Sequence, residues 1–155
     1  MPFDALTKGM PASAGSLRLD EIGQQGWNLF RGDIPLPAAV LRADRLEANN
    51  AWMAGFLKAN GLLIAPHGKT TMAPQLYAMQ CEGGAWAITV ATTQQLAVAK
   101  HFGFPRVILA NQPTGRESID ACFAAMSDEA FELHVLADSL EGVAALAEGA
   151  GRRSG

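Results

Sequence analysis

Apolar runs of strand length recur along the chain at intervals of 21 to 25 residues. There are five of them, at positions 37–43, 62–67, 85–91, 106–111 and 131–137. The segments between the runs carry apolar side chains near a 3.6-residue spacing, with glycines where helix C-caps are expected, which is typical of helices. This alternation predicts about five βα units and therefore a parallel sheet.

Two α/β architectures contain such a series. A doubly wound, flavodoxin-like domain is complete with about five strands. A (β/α)8 TIM-type barrel needs about 250 residues, so a chain of 155 residues would be only its N-terminal portion. Length alone favours the first architecture. The pattern also divides the chain into a leader with a short helix at 1–25, the βα series at 26–148, and a small basic tail at 149–155 that is predicted to be disordered or aberrant.

Composition and charge exclude several classes of partner. The chain is 49% hydrophobic and 17% charged with a net charge of −3, as in soluble globular domains. Its basic residues are scattered, so no basic stripe is present and no nucleic-acid partner is expected. No run approaches the roughly 20 apolar residues that span a bilayer, and the N-terminal segment is a poor secretory signal. We therefore expect no membrane association and a cytoplasmic location.

The segment LLIAPHGKTTMAPQ, at 62–75, contains the candidate chemistry. Its GKT resembles the end of a phosphate-binding P-loop, which requires a glycine five positions before Gly68, where Leu63 stands. Pro66 also lacks the N–H group that such a loop uses to bind phosphate. The sequence therefore argues against a P-loop and leaves Lys69 as a candidate for covalent chemistry.

Strand periodicity places His67 and Lys69 on one face of the second apolar run. In a barrel this face would point inward at the carboxyl end of the strand, where active sites are assembled. A lysine there can act as a nucleophile toward an aldehyde, with His67 one pleat below it to support a bound ring. From the residues alone, the alternative of a solvent-exposed lysine and a core histidine stays open.

Three longer stretches resemble a known group of enzymes. They are PLPAAVLRADRLEANNAWM, LLIAPHGKTTMAPQL and MQCEGGAWAITVATTQQLAVAKHFGFPRVILANQ. They are similar to the N-terminal half of the D-threonine aldolase and D-serine dehydratase group, which are alanine racemase-like barrel enzymes of fold type III that use pyridoxal phosphate. Within that group they resemble the bacterial amino acid deaminases most. The likeness runs from about Gly26 to Ser139, and its most specific element is Pro-His-x-Lys-Thr at 66–70. The resemblance implies that 26–148 is part of a PLP-binding (β/α)8 barrel.

The resemblance also implies roles for particular residues. Lys69 would be the catalytic lysine that forms the internal aldimine with pyridoxal 5′-phosphate. The implied cofactor-binding residues are His67, Lys69, Thr70, Gln80 and Thr92, with Asp138 and Ser139 at the mouth of the fifth strand. His134 is expected to be structural. No metal ligand is assigned in this chain, because the zinc or manganese of full-length relatives would be held further downstream.

The implied function is a pyridoxal phosphate-dependent lyase, a deaminase or dehydratase acting on a D-amino acid such as D-serine or D-threonine. The full-length form would be a homodimer. Alternatives within the resemblance are a D-threonine aldolase, an amino acid racemase, and a non-catalytic protein of pyridoxal phosphate homeostasis. Because the likeness covers only the N-terminal part of the group, we expect a truncated copy that is inactive alone. The residues that would decide among substrates and outcomes would lie downstream.

Overall fold

A computed structural model of the protein describes residues 2–152, which divide into two compact units on either side of the boundary between Ala43 and Asp44. In the first unit, Phe3 and Leu17 form an antiparallel bridge through two backbone hydrogen bonds of 2.7 Å. Helix α1, Leu19–Ile22, follows, and two single 3-10 turns lie at Gly23–Gln25 and Leu29–Arg31. This unit therefore consists mainly of turns.

The second unit, from Asp44 onward, contains a three-stranded parallel sheet in the order β1-β2-β3. The elements of this part of the chain are α2 Ala43–Asn60, α3 Pro74–Glu82, β1 Ile88–Val90, α4 Thr93–His101, β2 Arg106–Leu109, α5 Arg116–Ala125, β3 Glu132–Val135 and α6 Leu140–Gly151. The prediction of an α/β fold with a parallel sheet is confirmed. The strand order follows the chain without the reversal that defines a doubly wound sheet, so the flavodoxin-like alternative is not supported.

The first two predicted strands do not form regular strands. Positions 38–42 have no regular secondary structure, and α2 begins at Ala43. Pro35 and Pro37 cannot donate backbone hydrogen bonds at the start of this run, which weakens any strand there. The prediction of about five strands is therefore wrong in number for residues 2–152, which contain three.

The second run, which we call the extended segment (62–68), is bonded to β1 without joining its ladder fully. His67 pairs with Thr89 in a single parallel bridge. Gly68 N donates to Thr89 O and Thr89 N donates to Pro66 O, both at 2.8 Å. The next rung toward the N-terminus would need an N–H group at Pro66, which has none. Pro66 thus interrupts the ladder, although Trp86 N still donates to Ile64 O at 2.8 Å on the N-terminal side of the interruption.

The helix-facing side of the sheet forms the core. The core cluster consists of Tyr77, Ile88, Val90, Leu96, Ala99, Phe104, Val107, Leu109, Cys122 and Phe131. Alternation along the strands directs the other set of side chains to the opposite face. There the register aligns His67, Thr89, Ile108 and His134 in one row across the sheet. His67 and His134 are both exposed at the ends of that row.

The last helix extends into the predicted tail. Helix α6 runs to Gly151, so positions 149–151 are helical, whereas 153–155 lie outside the described residues. Gly149 is buried, and a Cβ placed there would collide with the side chain of Ile119 in α5. Between residues 2 and 152 the structure contains no helix with the length and apolar character needed to cross a bilayer.

Candidate functional site

Lys69 lies in the turn between the extended segment and α3. Its side chain is exposed and makes no hydrogen bond or ion pair with any residue in the range 2–152. His67, two residues earlier, is exposed and pairs through its backbone with Thr89. Lys69 therefore leaves the sheet just past its last paired residue, on the edge where parallel strands end. Its side chain extends into solvent at this edge.

The backbone next to Lys69 is held on both sides. Gly68 N donates to Thr89 O at 2.8 Å, and Gly68 O accepts from Met72 N at 3.0 Å. The hydroxyl of Tyr77 donates to the same carbonyl oxygen at 2.8 Å. Met72 has a φ of 46°, in the left-handed region that non-glycine residues seldom occupy. These contacts define one conformation for the turn that carries Lys69.

Tyr77 is the largest fully buried side chain of the core, with 1% of its surface exposed. Its ring packs edge-on against Phe104, with 5.3 Å between the ring centroids. Burial raises the pKa of Tyr77, so its hydroxyl stays protonated and able to donate at neutral pH. A Cβ at Gly68 would lie 2.5 Å from ring atoms Cε1 and Cζ of Tyr77. Glycine is therefore required at position 68 by this close approach.

Two of the other predicted cofactor residues lie near strand ends at the same edge. Thr70 is exposed in the turn of Lys69. Thr92 is the N-cap of α4, and its Oγ1 accepts from Gln95 N at 3.2 Å. Gln95 Oε1 in turn accepts from Ala91 N at 2.9 Å, which fixes the end of β1. The structure explains Thr92 as a helix cap, and its contact with a cofactor stays a prediction.

Gln80 lies elsewhere. It is half-buried in α3 and lines a cavity of about 330 Å³ together with Ile64, Pro66 and residues of α2. Strand alternation directs Ile64 and Pro66 to the side of the extended segment opposite to His67. The structure thus does not bring Gln80 and His67 together. The role of Gln80 toward a cofactor also stays a prediction.

Polar side chains after β2 connect its carboxyl end to those of β1 and β3. Gln112 Nε2 donates to Asp138 Oδ2 at 2.6 Å, and Asn111 Nδ2 donates to Ala91 O at 3.4 Å. The resemblance implied Asp138 at this edge, whereas Asn111 and Gln112 were not predicted. The available signal was a polar pair directly after the buried run of β2. These three residues add amide and carboxylate groups to the edge that carries Lys69.

An ionic cluster occupies the sheet face away from the helices. Arg106 lies 4.5 Å over the ring of Trp86, donates to Trp86 O at 3.0 Å, and pairs with Glu132. Glu132 Oε1 is 2.8 Å from His134 Nε2, and the ring of His134 is 5.2 Å from that of Trp86. These contacts place His134 in a network of side chains that links β2 and β3. Within residues 2–152, no group of three or more His, Cys, Asp or Glu could hold a metal ion.

We expect this cluster to make stability depend on pH through Glu132. The hydrogen bond from Arg106, and secondarily the one with His134, lowers the pKa of Glu132 below 4.5. The carboxylate therefore stabilises the fold above pH 4.5, and that contribution is lost as the pH falls below this value. In urea unfolding at pH 3 to 7, Glu132→Gln should flatten the acid limb of the curve. Glu129→Gln, at an exposed residue without an ion pair among positions 2–152, is the control. Identical acid limbs for both variants would contradict the assignment.

Two known enzymes are similar to this chain over part of their length. No protein-family model matches the chain. Over 59 residues, 38% of this chain and 16% of the relative, it is 39% identical to D-threo-3-hydroxyaspartate dehydratase of Delftia sp. (strain HT23). The solved structure of that dehydratase matches with a TM-score of 0.69 and 25% identity, over 77% of this chain and 31% of the enzyme. D-threonine aldolase from Filomicrobium marinum matches in fold with a TM-score of 0.72 and 24% identity, over 79% of this chain and 32% of the aldolase.

The chain thus spans about a third, or less, of the length of the proteins it matches. The matches cover part of each enzyme and agree with the resemblance that the sequence carries. This chain is similar in sequence to D-threo-3-hydroxyaspartate dehydratase, and in fold to part of that enzyme and of D-threonine aldolase.

Proposed function

We propose that this chain supplies the cofactor-binding lysine of a pyridoxal phosphate-dependent amino acid lyase, and that the lysine is Lys69. One observation carries the proposal. The amine of Lys69 is unpaired among residues 2–152 and stands on a fixed turn at the carboxyl edge of a parallel sheet. The similarity to a dehydratase supports lyase chemistry.

The residues of the site fit an aldehyde cofactor. An unpaired primary amine can bond to an aldehyde carbon with loss of water, and Lys69 would hold the cofactor in this way. Pyridoxal phosphate, when bound, supplies a conjugated ring that stabilises negative charge at the substrate Cα. His67 would support the ring from the strand below Lys69, and Thr70 would offer a hydroxyl from the same turn. Gly68 is hydrogen-bonded through both its N–H group and its carbonyl oxygen, so the backbone from which the Lys69 side chain extends is held in place.

The proposal extends to the substrate. We infer a D-amino acid with a β-hydroxyl group, such as D-serine or D-threonine, which loses its Cα proton and β-hydroxyl as water and then, on taking up water, releases ammonia as the keto acid forms. The sequence match to a dehydratase favours this outcome, whereas the likeness to an aldolase is one of fold. A longer protein containing this chain would be a cytoplasmic homodimer, with zinc or manganese held by residues outside this chain. D-threonine separates the two outcomes, because dehydration yields a keto acid and ammonia whereas aldol cleavage yields glycine and acetaldehyde.

The proposal is tested by trapping the cofactor on the protein. The chain is incubated with pyridoxal phosphate, reduced with borohydride, digested and examined by mass spectrometry. We expect the reduced cofactor on the peptide that contains Lys69. Lys58 is an internal comparison, since it is also exposed but lies on α2, whereas Lys100 donates to Ala125 O. Preferential labelling of Lys58 or Lys100 would contradict the proposal.

His67 is expected to support the cofactor without binding it covalently. His67→Ala should raise the dissociation constant for pyridoxal phosphate about tenfold, or about 1.4 kcal/mol, while the Lys69 peptide is still labelled after reduction. The dissociation constant is measured by absorbance titration. His101→Ala, at another exposed histidine whose ring packs on Phe102, is the control. Equal constants for wild type and His67→Ala would show that His67 only occupies its place in the sheet.

A further inference from the structure

We propose that Tyr77 is a positioning residue for Lys69, acting through the carbonyl oxygen of Gly68. This inference rests on the proposed role of Lys69. The hydroxyl of Tyr77 donates to Gly68 O at 2.8 Å from a side chain that is 1% exposed. The carbonyl belongs to the peptide group that joins Gly68 to Lys69. The bond therefore fixes the orientation of the peptide plane from which Lys69 begins.

Packing alone does not explain the hydroxyl group. The ring of Tyr77 contacts Phe104 within an apolar core that also contains Leu96 and Val90. A phenylalanine would fill the same space without a polar atom that must find a partner. The hydroxyl instead reaches out of the core to Gly68 O and lies 3.3 Å from Met72 Sδ. The two contacts lie at opposite ends of the turn that carries Lys69.

Tyr77 adds a second hydrogen bond to a carbonyl group that one backbone hydrogen bond already holds. Gly68 N is fixed by Thr89 O, and Met72 N donates to Gly68 O at 3.0 Å. Glycine has an unusually wide range of allowed backbone angles, so the peptide plane after Gly68 is less restricted than it would be after another residue. Rotation of that plane would redirect the Cα–Cβ bond of Lys69. The second hydrogen bond, from Tyr77, opposes this rotation from the rigid side of the core.

Gly68 and Tyr77 also fit each other sterically. Any Cβ at position 68 would lie 2.5 Å from the tyrosine ring and 2.6 Å from its hydroxyl oxygen. The ring can therefore approach the backbone closely enough to donate only because position 68 is glycine. The same absence of a Cβ gives the backbone at Gly68 more conformational freedom, and the hydrogen bond from the Tyr77 hydroxyl restricts that freedom. The two residues work as a pair.

The test is Tyr77→Phe, which removes the hydroxyl and keeps the ring. Lys69 and Lys58 are labelled with pyridoxal phosphate and borohydride in the same sample, so their rate ratio is independent of concentration. We expect the Lys69-to-Lys58 ratio to fall about tenfold in Tyr77→Phe. Amide hydrogen exchange without cofactor should show faster exchange at Met72, with exchange in β1 and β2 unchanged. Phe104→Leu, which perturbs the same core without touching the hydroxyl, is the matched variant.

The possible outcomes separate this inference from the proposed function. If wild-type Lys69 shows no preference over Lys58, the proposed function fails, and exchange at Met72 still tests whether Tyr77 holds the turn. Wild-type values for both the labelling ratio and the exchange in Tyr77→Phe would overturn the inference. An equal fall in the labelling ratio in Phe104→Leu would also overturn it, because the effect would then come from core stability.

Discussion

Lys69→Ala should abolish the specific capture of pyridoxal phosphate by this chain. Lys69 is the residue whose amine stands unpaired at the carboxyl edge of the sheet, and alanine cannot form a covalent bond with an aldehyde. After gel filtration, the variant should retain none of the visible absorbance that wild type retains. Borohydride should leave only a low level of label on exposed lysines such as Lys8 and Lys58.

Lys58→Ala is the matched control for this loss, because it removes an equally charged, exposed side chain from α2. It should retain the cofactor as wild type does. Two results would count against Lys69 as the cofactor-binding residue. One is retention of colour by Lys69→Ala, and the other is an equal loss of colour in both variants. The second would point to a general effect of positive charge on the binding of a phosphate ester.

Tyr77→Ala should lower the free energy of unfolding by about 3–5 kcal/mol, the range for removing a large buried aromatic side chain. Tyr77 is 1% exposed, contacts Phe104, and anchors the turn through Gly68 O. Typical domains are stable by only about 5–15 kcal/mol, so the variant should lose a large share of its stability and still unfold measurably in urea. Urea titration followed by the fluorescence of the three tryptophans measures the loss. A loss below about 1 kcal/mol would contradict the central place of Tyr77 in the core.

The clash at Gly68 provides a check on the same contact. Gly68→Ala should cost about 1–3 kcal/mol because its Cβ would meet the ring of Tyr77. In the Tyr77→Ala background the added methyl group has space, so the same substitution should cost much less. Gly55→Ala, in the middle of α2 with nothing within 4 Å of the new Cβ, should stabilise by up to about 1 kcal/mol. Additive effects of the changes at 68 and 77 would mean that the two residues do not interact.

The sequence predicted the sheet where its strands lie between helices and contain no proline. Residues 106–109 and 132–135 alternate more and less buried side chains, and the predicted runs contain them. The first two runs differ because Pro35, Pro37 and Pro66 remove backbone donors that a ladder requires. Apolar periodicity reports which side chains can be buried, whereas pairing also depends on the backbone N–H groups. Hydrophobic pattern alone therefore overestimated the number of strands.

The site was predictable where its residues are adjacent in sequence. His67, Lys69 and Thr70 lie on one short motif, and the structure places them at one edge because that motif ends a paired segment. Tyr77 was not predicted, since a tyrosine in a helix carries no sign that its hydroxyl meets a carbonyl nine residues earlier. Gln80 was predicted from resemblance and lies in the cavity beside α2. A position along a motif does not reveal to which side of a segment a following helix turns.

Because α2 is only shallowly buried, we expect it to unfold locally before the rest of the second unit unfolds. Leu57 is the one buried residue among the eighteen of this helix, and the cavity of about 330 Å³ lies along its inner side. Asn50 Nδ2, on α2, donates a hydrogen bond to Met79 O of α3 at 2.9 Å. A helix held this lightly opens at a lower free energy than the sheet it lies beside. The amide protons of α2 would exchange through local unfolding of this helix, whereas those of β1 and β2 would exchange only through global unfolding.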